Sequence, residues 1–125
     1  MIRKFLDYID NKKIEKERRG YSNNVINVYD YNFSIKNYTP FNHHEIFMNW
    51  WNEEYEIEKI SKDTILNTTQ PNVSKTFINK MKSYSDKPVL VKMEGLYWII
   101  DGHHRLVFDR MNGVDTECRV IKKIN

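Results

Sequence analysis

The feature that most constrains the fold lies in residues 89–124, where two apolar strands are followed by a helix and another strand. The runs VLVKM and LYWII are rich in β-branched and aromatic residues, and Glu94 and Gly95 between them favour a tight hairpin turn. Helical periodicity over residues 105–111 ends at Gly113, and ECRVIKKI predicts a last strand. This order of elements predicts an α+β fold with a mixed sheet.

The rest of the chain is predicted in less regular pieces. Apolar residues recur at helical spacing from residue 2 among alternating charges, which predicts an amphipathic helix closed by Gly20. Residues 25–35 predict one strand or a hairpin, and HHEIFMNWWNEEY, starting at His43, predicts a helix with an aromatic face. Downstream we expect a short strand over residues 57–60, a helical turn over residues 62–66, the loop NTTQPNV, and a helix capped by Ser74 that carries Phe77, Ile78, Met81 and Tyr84.

Composition limits the class of protein. A chain of 125 residues is long enough for one hydrophobic core but too short for two, so we expect a single domain. Cys118 is the only cysteine, which excludes an intramolecular disulfide and a thiolate metal cluster within one chain. The N-terminal sequence has no long apolar run, so we expect a cytoplasmic protein without a signal peptide or a membrane span. The net charge of +3 permits a phosphate-bearing ligand or nucleic acid without requiring either.

The corner at Asp101 and Gly102, where the buried strand LYWII meets the helix, is the strongest candidate site. A helix N-terminus presents unpaired backbone N–H groups, which favour an anion. Gly102 would let the backbone approach a ligand, and the guanidinium of Arg105 can grip a phosphate at two points. His103 and His104 add side chains that change charge near neutral pH. The corner therefore predicts a phosphate site.

Simpler interpretations of these residues stay open. Asp101 can be only an N-cap, Gly102 only a turn residue, and the two histidines a surface pair. A zinc site is disfavoured, because adjacent helical histidines point about 100° apart and the other pair, His43 and His44, is distant in sequence. We also expect Cys118 to be a small buried hydrophobic residue, and Lys92 and Arg110 to be solvated charges. The three tryptophans, Trp50, Trp51 and Trp98, are expected to belong to the core more than to a base-stacking platform.

Residues 57–124 resemble the ParB/sulfiredoxin-like (ParB-like nuclease) superfamily. The resemblance is carried by IEKISKDTILNTTQPNV, the helix after it, KPVLVKMEGLYWIIDGHHRL with its DGHHR motif, and the closing strand after glycine. It implies a single-domain mixed sheet with flanking helices. Residues 57–125 would form the core, and residues 1–56 would be an added N-terminal helical and β segment that packs on it.

The resemblance carries over unevenly. In this superfamily the motif glycine and the residues after it bind the phosphates of ATP, CTP or a related ligand, and Gly102, His104 and Arg105 match that pattern. Sulfiredoxins have their catalytic cysteine where this chain has His103, so repair of peroxiredoxins is not expected. The free-serine kinases have a glutamate base where this chain has Gln70, whose amide cannot accept a proton. The CTP-binding partition proteins carry a helix-turn-helix domain after this fold, and we do not expect chromosome segregation from this chain alone.

The predicted ligand is a nucleoside triphosphate with Mg²⁺. Asp101 is expected to hold the metal, while Arg105 and the helix N-terminus hold the phosphates. His103 or His104 would donate or shuttle a proton, which makes these two and Asp101 the predicted catalytic residues. Three residues are expected to line the opposite wall, unless TTQP is only a polar turn: Thr68, Thr69 and Gln70.

Two functions of different class follow. The first is a nucleotide-binding enzyme that transfers phosphate, hydrolyses a nucleoside triphosphate or cleaves a phosphodiester as a nuclease. The alternative is a non-catalytic interaction protein of a phage or mobile element, which uses this fold to bind a protein or nucleic acid partner.

Overall fold

The computed structural model describes residues 24–81 and 86–124. In chain order the elements are β1 (Val25–Asn27), β2 (Phe33–Ile35), α1 (His43–Asn49), β3 (Glu56–Ile60), β4 (Leu66–Thr68), β5 (Asn72–Ser74), α2 (Lys75–Lys80), β6 (Val89–Met93), β7 (Leu96–Asp101), α3 (His103–Met111) and β8 (Thr116–Ile121), with 3₁₀ turns at Val28–Tyr31 and Trp50–Asn52. The predicted helix that ends at Gly20 lies outside the described residues, as does Tyr84. Within the described part of the chain, no helix is long and apolar enough to cross a membrane.

Most of the strands form one six-stranded sheet in the order β2-β4-β7-β6-β8-β3. The pairs β2–β4, β4–β7 and β6–β8 are parallel, while β7–β6 and β8–β3 are antiparallel. The strands β1 and β5 form a separate antiparallel pair. The predicted α+β class and the mixed sheet are therefore confirmed.

The sheet is covered by helices on both faces. Along β7, Ile99 belongs to one apolar cluster, while Trp98 and Ile100 belong to the other, as the two-residue period of a strand requires. The helices α2 and α3 contribute to the cluster of Ile99, and α1 contributes Ile46 to the opposite cluster. The molecule thus has three layers, with α1 on one side of the sheet and α2 and α3 on the other.

The strongest local predictions are confirmed. The strands β6 and β7 form a hairpin whose turn residues, Glu94 and Gly95, both have positive φ angles, of 55° and 78°. The hydroxyl of Ser74 accepts a hydrogen bond from the backbone N–H of Phe77 and so caps α2. Cys118 is fully buried in β8, and burial raises the pKa of its thiol to about 12.

Three local predictions were wrong. Residues 62–66 form a turn that leads into β4 rather than a helical turn, and the predicted loop NTTQPNV contains most of β4 and the first two residues of β5. Residues 25–35 contain two strands, but these pair with β5 and β4 and do not form a hairpin with each other. The strands in these segments pair with partners that lie far away in sequence, so local periodicity carries no signal of them.

The described part of the segment before residue 57, residues 24–56, contributes strands to both sheets. It supplies β1, the edge strand β2 and the helix α1. The helix is shorter than the aromatic pattern predicted: it ends at Asn49, and Phe47, Trp51 and Tyr55 are exposed. Of the tryptophans, Trp98 is buried, Trp50 is partly buried and Trp51 is exposed, so only Trp98 fits the predicted core position fully.

Candidate functional site

A cleft of about 640 Å³ lies where the parallel strands β4 and β7 end. Carboxyl ends of parallel strands are a frequent location for ligands, because the chain turns away there and leaves a crevice. The lining comes from α1, from the loop after β4, from α2 and from the corner between β7 and α3: His43, His44, Phe47, Thr69, Gln70, Phe77, Met81, Ile100, Asp101, Gly102, His103, His104 and Arg105.

The beginning of α3 forms one wall of the cleft. Gly102 occupies the N-cap position with a φ of 99°, a left-handed conformation that favours glycine. A Cβ atom there would lie 2.8 Å from the Cα of Pro88, so the close approach that requires glycine is to Pro88 and not to a ligand. Gly102 makes no side-chain hydrogen bond that caps α3, and a helix N-terminus of this kind favours an anion.

His103 is held in its neutral form. Its Nε2 atom is hydrogen-bonded to the hydroxyl of Thr68 at 2.5 Å. Burial, reinforced by the nearby His43 and His104, lowers the pKa of His103 from 6.5 to about 4, because a charged imidazolium would lose its hydration there. At neutral pH His103 can therefore donate or accept one hydrogen bond towards the cleft, but it supplies no positive charge.

Thr68 lies behind the cleft and outside its lining. Its fully buried hydroxyl also accepts a hydrogen bond from the backbone N–H of Gln70. The predicted contact of Thr68 with a ligand is thus replaced by a contact that orients His103. Thr69 and Gln70 are exposed and do line the cleft, and the side-chain amide of Gln70 donates to the carbonyl oxygen of Asn72.

His104 is fixed in one tautomer. The backbone N–H of Ser74 donates to its Nε2 at 3.2 Å, and an N–H group can only donate, so Nε2 must carry the lone pair. The proton of the neutral ring is then on Nδ1. Burial lowers the pKa of His104, which also favours the neutral form. The ring packs against Phe77 with 4.5 Å between centroids, so His104 joins the start of α3 to the start of α2.

The structure brings the other histidine pair to the same cleft. All four histidines of the chain line it, two from α1 and two from α3. His43 lies between the rings of Phe41 and Phe47, and its Nε2 donates to the carbonyl oxygen of Ile99 at 3.3 Å. Among the described residues, however, no group of three or more histidine, cysteine, aspartate or glutamate side chains is arranged to hold a metal ion. The histidines therefore line a cleft without forming a metal cluster.

Arg105 brings a permanent positive charge to the cleft. Its Nε donates to Oδ2 of Asp109, one helical turn further on, at 3.3 Å. The same carboxylate oxygen accepts a hydrogen bond from the hydroxyl of Thr116. Burial lowers the pKa of Arg105, but a guanidinium stays protonated at any physiological pH. The pairing with Asp109 holds the Nε atom of Arg105 close to α3, beside the cleft.

Asp101 is the one carboxylate, among the described residues, that lines the cleft. It is exposed, and its Oδ1 accepts a hydrogen bond from the backbone N–H of Gly102 at 2.9 Å. A single carboxylate together with phosphate oxygens and water is an arrangement that Mg²⁺ accepts. Asp101 is therefore suited to hold a magnesium ion that a phosphate ligand brings with it.

No family model, no curated protein and no solved structure matches this chain. The geometry of the cleft therefore carries the functional inference. The sequence predicted a site at the corner from Asp101 to Arg105, which lines the cleft, but it did not predict that α1 and α2 line the same cleft. The one available signal for that second wall was the His43–His44 pair, whose position depends on the sheet topology.

Proposed function

We propose that the cleft binds the phosphate groups of a nucleoside triphosphate. The observation that carries the proposal is the convergence, at the carboxyl ends of β4 and β7, of the first turn of α3 with the guanidinium of Arg105. Backbone N–H groups and a guanidinium are the donors that phosphate oxygens prefer. The neutral His103 and His104 add hydrogen bonds without adding charge.

The resemblance to ParB/sulfiredoxin-like proteins supports the same location. In that superfamily the motif that DGHHR matches lies at the start of a helix and binds phosphates, which is where the cleft lies in this chain. Because Nε2 of His104 is bonded to Ser74, its contact with a phosphate would come from Nδ1–H. Asp101 would hold Mg²⁺ against the same phosphates.

Phosphotransfer, hydrolysis of the nucleotide or cleavage of a phosphodiester is the proposed chemistry, and it needs a group that accepts a proton. The amide of Gln70 accepts no proton, and burial lowers the pKa of His103 to about 4, so its neutral imidazole is no stronger a base than a carboxylate. His103 and the exposed Asp101, which both line the cleft, are therefore both candidate bases, and both are weak ones. We therefore propose nucleotide binding as the primary function and turnover as a second step. Separate measurements test the two.

The test is the melting temperature with ATP, CTP or GTP and Mg²⁺. A ligand at about ten times its Kd should raise the melting temperature by about 5 °C, because it binds only the folded chain. Arg105→Ala should lose that increase. Arg119→Ala is the matched control, because Arg119 lies over the rings of Trp50 and Tyr55, outside the cleft lining. An unchanged melting temperature with every nucleotide would contradict the proposal, and release of inorganic phosphate reports turnover.

A non-catalytic interaction protein is the second candidate. The observation that favours it is the exposed aromatic group after α1, where Trp51 is 59% exposed and its ring lies against Trp50. Exposed aromatic side chains of this size are common in contact surfaces. Release of inorganic phosphate from a nucleotide would contradict this non-catalytic candidate. Nucleic acid binding would be recognised by an affinity that falls steeply with salt.

A further inference from the structure

Two exposed phenylalanines line the cleft from different helices. Phe47 of α1 is 43% exposed and Phe77 of α2 is 55% exposed. The neighbouring residue in each helix, Ile46 or Ile78, is buried in one of the two apolar clusters. Each helix therefore packs on the sheet through its isoleucine and presents its phenylalanine to the cleft. Since α1 and α2 cover opposite faces of the sheet, aromatic surface borders the cleft on both sides.

Both rings are supported by histidines that are themselves fixed. The ring of Phe47 stacks on His43 with 6.4 Å between centroids and 12° between planes, and His43 donates to the backbone of Ile99. The ring of Phe77 packs on His104, which accepts from the backbone of Ser74. Scattered single exposed hydrophobic residues need no explanation, but two supported rings in one cleft form a preorganised apolar surface.

We infer that the ligand of this cleft carries a planar aromatic ring next to its phosphates, so that a nucleobase stacks on Phe47 or Phe77. The inference rests on the proposed function and specifies which residues of the cleft hold the base of the nucleotide: the exposed rings of Phe47 and Phe77. A cleft of about 640 Å³ is within the usual range of sites for such ligands. Stacking on an aromatic side chain is tolerant of base identity, because every base has a π face.

The test compares ATP with tripolyphosphate, which has the same three phosphates and no base or sugar. Binding of each is measured by calorimetry with Mg²⁺ on the full chain. We expect ATP to bind at least about tenfold more tightly than tripolyphosphate, and Phe77→Ala or Phe47→Ala to weaken ATP about tenfold. The affinity for tripolyphosphate should change less than about twofold in the same variants, since the phosphates contact α3.

Two control variants make the comparison specific. Phe77→Tyr keeps an aromatic face and should retain the affinity for ATP. Tyr29→Ala removes a ring that is 65% exposed but lies outside the cleft lining, and it should also leave ATP binding unchanged.

The outcomes separate the inference from the proposed function. Equal affinity for ATP and tripolyphosphate, or equal losses for both ligands in the phenylalanine variants, would overturn the stacking inference and leave phosphate binding standing. Failure of both ligands to bind the wild-type chain would overturn the proposed function and the inference with it. A loss confined to ATP supports both.

Discussion

The two ends of α3 use their basic side chains in opposite ways. At the C-terminal end, the guanidinium of Arg110 is buried and lies 5.3 Å from the ring centroid of Phe33. Its terminal nitrogens donate to four backbone carbonyl oxygens, those of Tyr31, Asn32, Ser61 and Thr64. At the N-terminal end, His103, His104 and Arg105 each make a contact within the protein and still line the cleft.

One nine-residue helix therefore carries a structural cation, Arg110, at its C-terminal end and the proposed binding surface at its N-terminal end. Arg110 ties α3 to the segment between β1 and β2 and to the turn between β3 and β4, and the expectation that it is a solvated charge was wrong. Burial lowers its pKa to about 10, so it remains protonated at neutral pH. The N-terminal end instead keeps donors directed to a cavity, as a site for an anion requires.

The largest expected effect comes from removing the hydrogen bonds of Arg110 at the C-terminal end of α3. Arg110→Ala removes the donors of several carbonyl groups and should lower the free energy of unfolding by about 3 to 4 kcal/mol. Arg110→Lys keeps the charge but offers one nitrogen, which cannot reach both pairs of carbonyl groups, and it should recover only part of the loss. Urea denaturation measures both variants. A loss below about 1 kcal/mol for Arg110→Ala would show that water replaces the guanidinium.

The next effect concerns the junction between β7 and α3. Gly102→Ala forces a left-handed φ on alanine and brings its Cβ within 2.8 Å of the Cα of Pro88, so we expect a loss of about 2 to 3 kcal/mol. Gly113→Ala is the matched control at the other end of the helix. Gly113 also has a positive φ, 69°, but a Cβ there meets nothing within 4 Å, so only about 1 kcal/mol should be lost. Equal losses in urea denaturation would mean that Pro88 moves aside.

A smaller effect is the pH dependence at the N-terminal end. The pKa of His103 is about 4 in the folded chain, whereas an unperturbed histidine, as in the unfolded chain, has a pKa of 6.5. The unfolded chain therefore binds the proton more tightly. The stability from neutral His103 is therefore complete above pH 6.5 and is lost as the pH falls towards 4. We expect wild type to lose about 2 kcal/mol more than His103→Gln between pH 7.5 and 4.5.

The comparison with His103→Gln isolates this residue. Burial raises the pKa of Asp109 and lowers that of His104, but both residues are present in both proteins, so their contributions cancel in the difference. Denaturation curves at several pH values provide the measurement. Parallel loss of stability in the two proteins would show that His103 is hydrated in the folded state.

How much the sequence predicted depended on how local each signal was. The β6–β7 hairpin and α3 were predicted to within one or two residues and β8 to within three, because turn chemistry and apolar periodicity lie inside each segment. The strands β4 and β5 were missed, because each has three residues and is defined by a distant partner. Arg110 was misjudged for the same reason: its acceptors lie 46 to 79 residues away along the chain.

In the candidate site, too, local features were predicted and contacts between distant parts of the sequence were not. The corner from Asp101 to Arg105 was predicted because its residues are consecutive. The contact between His43 and Ile99 spans 56 residues and depends on α1 crossing the opposite face of the sheet, which no local pattern encodes. Likewise the contact of Thr68 with His103 follows from the parallel pairing of β4 and β7.

The smallest effect tests whether His104 belongs to the structural or the binding part of α3. His104→Phe keeps a ring against Phe77 but removes the acceptor for the backbone N–H of Ser74, so we expect a loss of about 1 kcal/mol. Hydrogen exchange should accelerate at the Ser74 amide, while the Phe77 amide stays protected by the Ser74 hydroxyl. Unchanged exchange at Ser74 would place His104 with the binding residues alone, whereas acceleration makes it the residue that connects the fold to the cleft.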